Sequence, residues 1–418
     1  MSDIVPYKIL MYSHDTYGLG HIRRSLAIAR SIRKSPANIL ILTGSHLVGR
    51  FDIAKRVDFV RIPGMIKVTN EQYLPQSMRL EATEVLEIRK SLIQATAKAF
   101  KPDFFIVDKA PLGLKREVVD TLQWLKEDFP HCKSILGLRD IMDSAESTIE
   151  DWEGKDIYDA MAQLYGEIWV YGCQEFYDAI KEYRIPAHVA SKVHFTGYIP
   201  RHVPSTDEIR ATRKDLGIKD EERLILVTTG GGGDGHPVVD TVLAAFDQDQ
   251  GGVPKHTRVV VVTGPFMSRK HYREVAKKCR ALGIICLKFH RFMEGLIGAS
   301  QAVVSMGGYN TVCEIISQRK PFLIVPRTVP REEQLIRAQV LCSQGFCDYI
   351  DPRLLNPRVL RQKLLQLLDN GTYYKQKMKS FPFTALDVIR MRILQNKKGD
   401  RAKIDTGPID QYLHANAK

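Results

Sequence analysis

A chain of 418 residues exceeds the length at which one hydrophobic core stops growing, so two domains are expected. No stretch approaches the roughly 18 apolar residues of a membrane-spanning helix. Seven cysteines, an odd number with no Cys-x-x-Cys pair, argue against a disulfide framework or a structural zinc and suit a reducing cytoplasm. The formal net charge of +13 favours anionic partners such as phosphorylated ligands or an anionic bilayer, and no nucleic-acid-binding motif accompanies it, so no nucleic acid is expected.

In chain order, the first residues enter a strand directly, at residues 9–12, so no signal peptide is expected. Residues 13–21, SHDTYGLGH, form a loop before a helix over 22–32. Gly18 and Gly20 permit a tight turn there, and His21 stands at the helix mouth. An imidazole in that place titrates near neutrality, and a helix N-terminus disfavours its cation, so His21 is the candidate general base. A helix cap is the structural alternative. His14 and Asp15 are secondary candidates that loop structure alone could also explain. The basic residues Arg23, Arg24, Arg30, Arg33 and Lys34 on this helix fit either a solvated face or attraction to an anionic ligand.

The runs KILMYS, ANILILTG, FVRIPG, DFFIVD, SILGLRD, EIWVYG and KVHFTG read as the parallel strands of a first domain, alternating with helical periodicity. Asp108 and Lys109 follow one strand, and Arg139 and Asp140 another. Such charges line a cleft or pair with each other, and the sequence leaves both open. Residues 193–205, VHFTGYIPRHVPS, cross into the second domain, whose strands are ERLILVTTG, TRVVVVTGP, IICLKFH, QAVVSMG and PFLIVPR. The expected division is 1–199, 200–372, a helix over 373–396 that packs back across the domains, and a polar tail 397–418. Two such α/β domains leave a cleft at the carboxyl ends of their strands, where open sheets bind ligands.

Three segments at strand ends are candidates for holding a phosphorylated ligand. TTGGGGDG, residues 228–235, puts four glycines after a buried strand, which suits backbone wrapped around an anion, although a surface turn is possible. Arg291, Phe292 and Met293 precede a helix beginning near Glu294, and could be core instead. In SMGGYNTVCEIISQRKPFLIVPRTVPREEQ, residues 305–334, Gly307 and Gly308 allow close backbone approach, and Asn310 or Thr311 caps a helix with Glu314 in its first turn. Asp247–Gln250 contains an Asp-x-Asp, a metal motif elsewhere, but lies in a polar loop, and no metal site is expected.

The pattern G-G-x-x-T-x-x-E-I, K-P-x-L-x-V-P and E-Q resembles the donor-binding half of GT-B glycosyltransferases of the MurG-like type, glycosyltransferase family 28. The resemblance implies an α/β GT-B fold with two Rossmann-like domains facing across a cleft. It implies an inverting, metal-independent enzyme that uses a UDP-sugar as co-substrate, with no other cofactor, and carries an N-acetylhexosamine or hexose to an acceptor of unspecified class. It implies that Glu314 holds the ribose, Glu333 and Gln334 contact the donor sugar, Gly231 and Gly232 meet the diphosphate, and Arg291, Phe292 and Met293 hold the uracil. Gly20 and His21 correspond to a glycine-rich acceptor loop, with His14, Arg24, Asp108, Lys109 and Arg139 on the acceptor side. A lipid-linked acceptor at the cytoplasmic face of an anionic membrane would suit the charge. This chain has DKAPLG where the MurG pattern has a second glycine-rich loop, so the acceptor need not be a peptidoglycan lipid. G-x-G-H-x-x-R, completed by Arg24, is also similar to UDP-sugar hydrolases. A UDP-sugar epimerase and a non-catalytic nucleotide-sugar-binding protein are further readings.

Overall fold

A computed structural model describes residues 6–15, 20–33, 36–51, 53–67 and 73–398. Gly18, Lys34 and residues 399–418 of the expected tail lie outside the described residues. The first sheet is built from β1 (Tyr7–Ser13), β2 (Ala37–Thr43), β3 (Val57–Arg61), β6 (Phe104–Asp108), β7 (Lys133–Arg139), β8 (Glu167–Tyr171) and β9 (Val193–Phe195), in the order 3-2-1-6-7-8-9. Every described pairing in it is parallel. β4 (Met65–Lys67) and β5 (Tyr73–Pro75) form a separate antiparallel pair that the alternation pattern did not reveal. The second sheet contains β10 (Arg223–Thr228), β11 (Thr257–Val262), β12 (Ile285–Leu287), β13 (Ala302–Ser305), β14 (Phe322–Ile324) and β15 (Asp348–Tyr349), ordered 12-11-10-13-14-15. The two residues of β15 are too short to have a readable period.

Both sheets reverse their winding next to their first strand, between β1 and β6 and between β10 and β13. Loops leaving the strands on either side of such a reversal diverge to opposite faces and open a crevice. The central strands are nearly continuous apolar runs, buried on both faces, so helices must cover both sides of the sheet.

After β9 the chain crosses to the helix Thr206–Asp215, which opens on a capping box between Ser205 and Glu208 and packs on the helix Met293–Ala299 of the second sheet. The expected helix over 373–396 is interrupted. Gly371–Lys377 is one helix and Ala385–Lys398 another, because Pro382 lies between them and cannot continue a helical ladder. The last helix packs on the helix Gly20–Ile32 of the first domain, and Glu167 fixes it by accepting from Arg392 at 2.8 Å and Asn396 at 3.0 Å.

Candidate functional site

The first crevice gathers residues from the ends of β1 and β6. The helix starts at Gly20, two residues earlier than the pattern suggests, so His21 lies in its first turn. His21 Nδ1 is 2.5 Å from Asp108 Oδ2. Arg24, one turn on, is buried and grips the same carboxylate twice, Nε to Oδ1 at 2.9 Å and Nη2 to Oδ2 at 2.8 Å. A carboxylate on Nδ1 fixes the tautomer that leaves Nε2 as the acceptor. Burial lowers the imidazole pKa to about 4 against the opposing pull of Asp108, so the ring is neutral at pH 7. Asp108 is held well below the usual carboxylate range: burial opposes its ionisation, but Arg24 and His21 outweigh that cost.

His14 is buried, meets His21 edge-on with ring centroids 5.8 Å apart, and has Nδ1 3.2 Å from the Tyr12 hydroxyl. Burial also drives its pKa down. Asp15 accepts from the Ile22 amide at 3.1 Å and from the Thr43 hydroxyl at 2.5 Å. It therefore ties the start of the helix to β2. Burial pushes its pKa up to about 7, with the Thr43 and Ile22 hydrogen bonds working in the other direction.

The second crevice is formed by the loops after β10 and β13. The glycine run turns at Gly230 and Gly232, both with positive φ. A Cβ on Gly232 would lie 1.9 Å from the Thr263 carbonyl oxygen, so no other residue fits. The run leads into the helix His236–Ala245, capped by Gly235 without a side chain. Gly307 is also left-handed, at φ +82°, and its carbonyl accepts from Arg337 at 3.0 Å. The next helix is Tyr309–Ser317, and its cap is Gly308, not Asn310 or Thr311. Those two stand inside its first turn, and Glu314 is therefore in the second turn. No side chain caps this helix, so the amides of its first turn lack a side-chain acceptor, and a Cβ on Gly308 would meet open space.

Glu314 is buried, with Arg23 Nη1 2.8 Å from its Oε1, an ion-pair distance whose angle leaves that oxygen without a hydrogen bond. Glu333 begins the helix Glu333–Ser343, pairs with Arg327 at 3.2 Å and keeps Oε2 buried and unpartnered. Gln334 Oε1 accepts from the Arg327 amide at 3.3 Å. Arg327 also binds Asp234 of the glycine loop at 2.5 Å, tying the two donor loops together. Of the three residues assigned to the base, Arg291 is exposed, Phe292 packs over Gly295 with its amide donated to His290 Nδ1 at 3.2 Å, and Met293 starts its helix and packs against the core. Asp247–Gln250 is exposed, consistent with a surface loop.

The crevices face each other and are joined by arginines. Arg23 is not on a solvated face: it crosses from the first domain to Glu294 at 2.5 Å and to Glu314. Gly20 abuts the second domain so closely that a Cβ there would lie 2.5 Å from Asn310 Nδ2. Arg201 donates to Asn310 Oδ1. Arg337, fully buried, is bidentate to Asp140 at 2.8 and 2.7 Å. Tyr309 lies between Arg24 and Arg337, with the guanidinium carbons 5.8 and 5.9 Å from its ring centroid. So Asp108 and Asp140 pair neither with Lys109 nor with Arg139. Sequence reading missed Arg201, Arg327, Arg331 and Arg337. A lone arginine carries no local signal for a partner 93 to 197 residues away, as for Arg327 with Asp234 and Arg337 with Asp140.

Residues 224–390 match the family model described as the glycosyltransferase family 28 C-terminal domain. The second half of the chain therefore carries a family 28 C-terminal domain. A relative from Lachnoclostridium phytofermentans, named UDP-N-acetylglucosamine--N-acetylmuramyl-(pentapeptide) pyrophosphoryl-undecaprenol N-acetylglucosamine transferase, is 30% identical over 87 residues, 20% of this chain and 24% of that protein. One from Streptococcus mutans with the same name is 25% identical over 141 residues, 33% of this chain. The chain thus spans only 24% and 37% of the length of these curated relatives. Among solved structures, MurG of Acinetobacter baumannii has a TM-score of 0.59 at 14% identity and covers 93% of this chain and all (100%) of its own. A glycosyltransferase from Rickettsia africae has 0.61 at 12% identity, covering 96% and 100%. A putative UDP-N-acetylglucosamine 2-epimerase from Listeria monocytogenes has 0.60 at 14%, covering 97% and 100%. These likenesses establish the GT-B fold around the family 28 domain.

Proposed function

We propose that this protein transfers a hexose or N-acetylhexosamine from a UDP-linked donor to a hydroxyl-bearing acceptor, with inversion at the anomeric carbon. The observation that carries the reading is the His21–Asp108 pair at the reversal of the first sheet, across the cleft from the glycine loops and free helix end at the reversal of the second. The family 28 domain and the transferase names of the relatives support it. Asp108 holds Nδ1–H, and His21 Nε2 takes the acceptor hydroxyl proton. The oxygen then bonds to the anomeric carbon while the bond to the UDP oxygen breaks, and the electron pair leaves with UDP. One displacement from the opposite face inverts the centre. The glycine-loop amides and the uncapped N-terminus of Tyr309–Ser317 meet the charge that develops on the leaving diphosphate.

Glu314 would accept from the ribose hydroxyls, and Glu333 and Gln334 from the sugar. Replacing Glu314 by Ala should weaken UDP binding by about 1.5–3 kcal/mol, as for a hydrogen bond to a charged group. Calorimetry with UDP tests this, and unchanged affinity would place the ribose elsewhere. Because amides and helix ends meet the diphosphate charge in this scheme, turnover should persist in EDTA. A complete loss of rate, restored by Mg²⁺ or Mn²⁺, would show that a cation carries that role.

Water could use the same base, since Arg24 completes the hydrolase-like G-x-G-H-x-x-R and here holds Asp108. Rapid UDP release without acceptor would favour that second reading. The described residues contain no helix long and apolar enough to cross a membrane. The net charge of +13 and the undecaprenol-linked acceptor in the relatives' name support peripheral contact with the inner face of an anionic membrane.

A further inference from the structure

On the first-domain side of the cleft, two cations have no carboxylate within ion-pair distance among the described residues. Asp108 pairs with Arg24, Asp140 with Arg337, and Asp234 and Glu333 with Arg327, while Asp143 lies 3.8 Å from Arg331. Lys109 and Arg139 remain, and among the described residues neither forms an ion pair. The two sit side by side, since they leave the neighbouring strands β6 and β7 and the Lys109 amide donates to the Gly137 carbonyl at 2.7 Å. Both are half-buried, so they are open to a ligand yet shielded from bulk water. Arg139 Nε is buried without a partner, and Lys109 is held at φ +69°, a left-handed conformation that costs a residue with a Cβ. The loop after β14 approaches this side of the cleft: the Glu332 amide donates to Asp143 at 2.7 Å, and Arg331 and Glu333 lie near enough to act on both charges. Burial and the neighbouring arginines Arg139, Arg331 and Arg24 push the Lys109 pKa well down, with Glu333 opposing. Burial likewise lowers Arg139 to about 10 despite Glu333. Glu333, already paired with Arg327, is the one carboxylate that acts on both, and it makes no ion pair with either, so the two cations share less counter-charge than they carry.

We propose that Lys109 and Arg139 bind an oxyanion of the acceptor, a phosphate or carboxylate close to the attacking hydroxyl. The proposal rests on the transferase reading above. It assigns the anion to the acceptor because both residues belong to the first domain and Lys109 directly follows Asp108, the partner of the base. The donor diphosphate lies across the cleft on the glycine loops. A neutral alcohol would leave both charges uncompensated, whereas an anionic acceptor would be drawn in and oriented by them.

The test uses the full chain saturated with UDP and titrated with methyl phosphate or acetate, read as melting temperature and by calorimetry. One of these probes should bind in addition to UDP, and equally with UDP-glucose in place of UDP; which one binds identifies phosphate or carboxylate. Lys109→Gln and Arg139→Gln should each weaken that probe at least about tenfold while UDP affinity stays within about threefold. Lys109→Arg and Arg139→Lys should keep most of it, which covers the case where a glutamine variant fails to fold. The proposal is overturned if neither probe adds to UDP, if a probe competes with UDP or only with UDP-glucose, or if the variants bind it as wild type does. Failure of the donor reading would look different: UDP would not bind, while the probe would still depend on Lys109 and Arg139.

Discussion

Replacing His21 by Ala should lower kcat by about a hundred- to ten-thousand-fold, the usual worth of a general base, while UDP affinity changes by less than roughly threefold. The separation follows from where the residue sits. His21 belongs to the first domain and binds Asp108, whereas the glycine loops, Glu314 and Glu333 belong to the second. The pH profile supplies an independent check. Only the neutral ring can take a proton, so the rate must fall as pH drops through the imidazole pKa. Burial puts that pKa at about 4 instead of 6.5, so the acid limb should lie well below that of a solvent-exposed histidine. A variant that keeps most of its kcat would move the base elsewhere. One that loses UDP affinity instead would make His21 a structural element of the interface.

Replacing Arg337 by Ala should destabilise the whole protein by about 3–5 kcal/mol, because it strands Asp140 as a buried, unpaired charge. Arg337 is fully buried, bidentate to Asp140 of the other domain, and donates to the Gly307 and Ile141 carbonyls. The three tryptophans, Trp124, Trp152 and Trp169, all belong to the first domain. Their fluorescence therefore reports whether a change in the second domain is felt in the first. The denaturant midpoint seen by these tryptophans should fall in Arg337→Ala. The double variant Arg337→Met with Asp140→Leu should recover much of the loss, since it removes both charges. An unchanged tryptophan midpoint would mean that the domains unfold independently and that this ion pair does not couple them.

Much of this molecule was legible along the chain. Seven strands of the first sheet and five of the second stand out as apolar runs; the central ones are buried on both faces and need an unbroken hydrophobic sequence, whereas β3, β9 and β12 are only partly buried. The turns at Gly232 and Gly307 were legible too, since each follows a strand and takes up positive φ, and His21 was expected near the helix start where it lies. Short-range features fared worse where two local rules competed. Gly308 took the helix cap ahead of Asn310 and Thr311, and Pro382 broke a helix that periodicity alone would have continued.

The sequence by itself determined the two α/β units and placed the glycines, the acid and the histidine at the ends of their strands. Only the tertiary structure decided which charges meet. Asp108 reaches His21 and Arg24 across some 85 residues, 87 and 84 apart in the chain, and Asp140 reaches Arg337 across 197. Lys109 and Arg139 are left over. The physical reason is that periodicity and turn chemistry are local, arising from backbone sterics and from one buried face at a time. The pairing of buried charges is fixed only when the two sheets face each other and each ion must find a partner within hydrogen-bond reach or lose its solvation uncompensated.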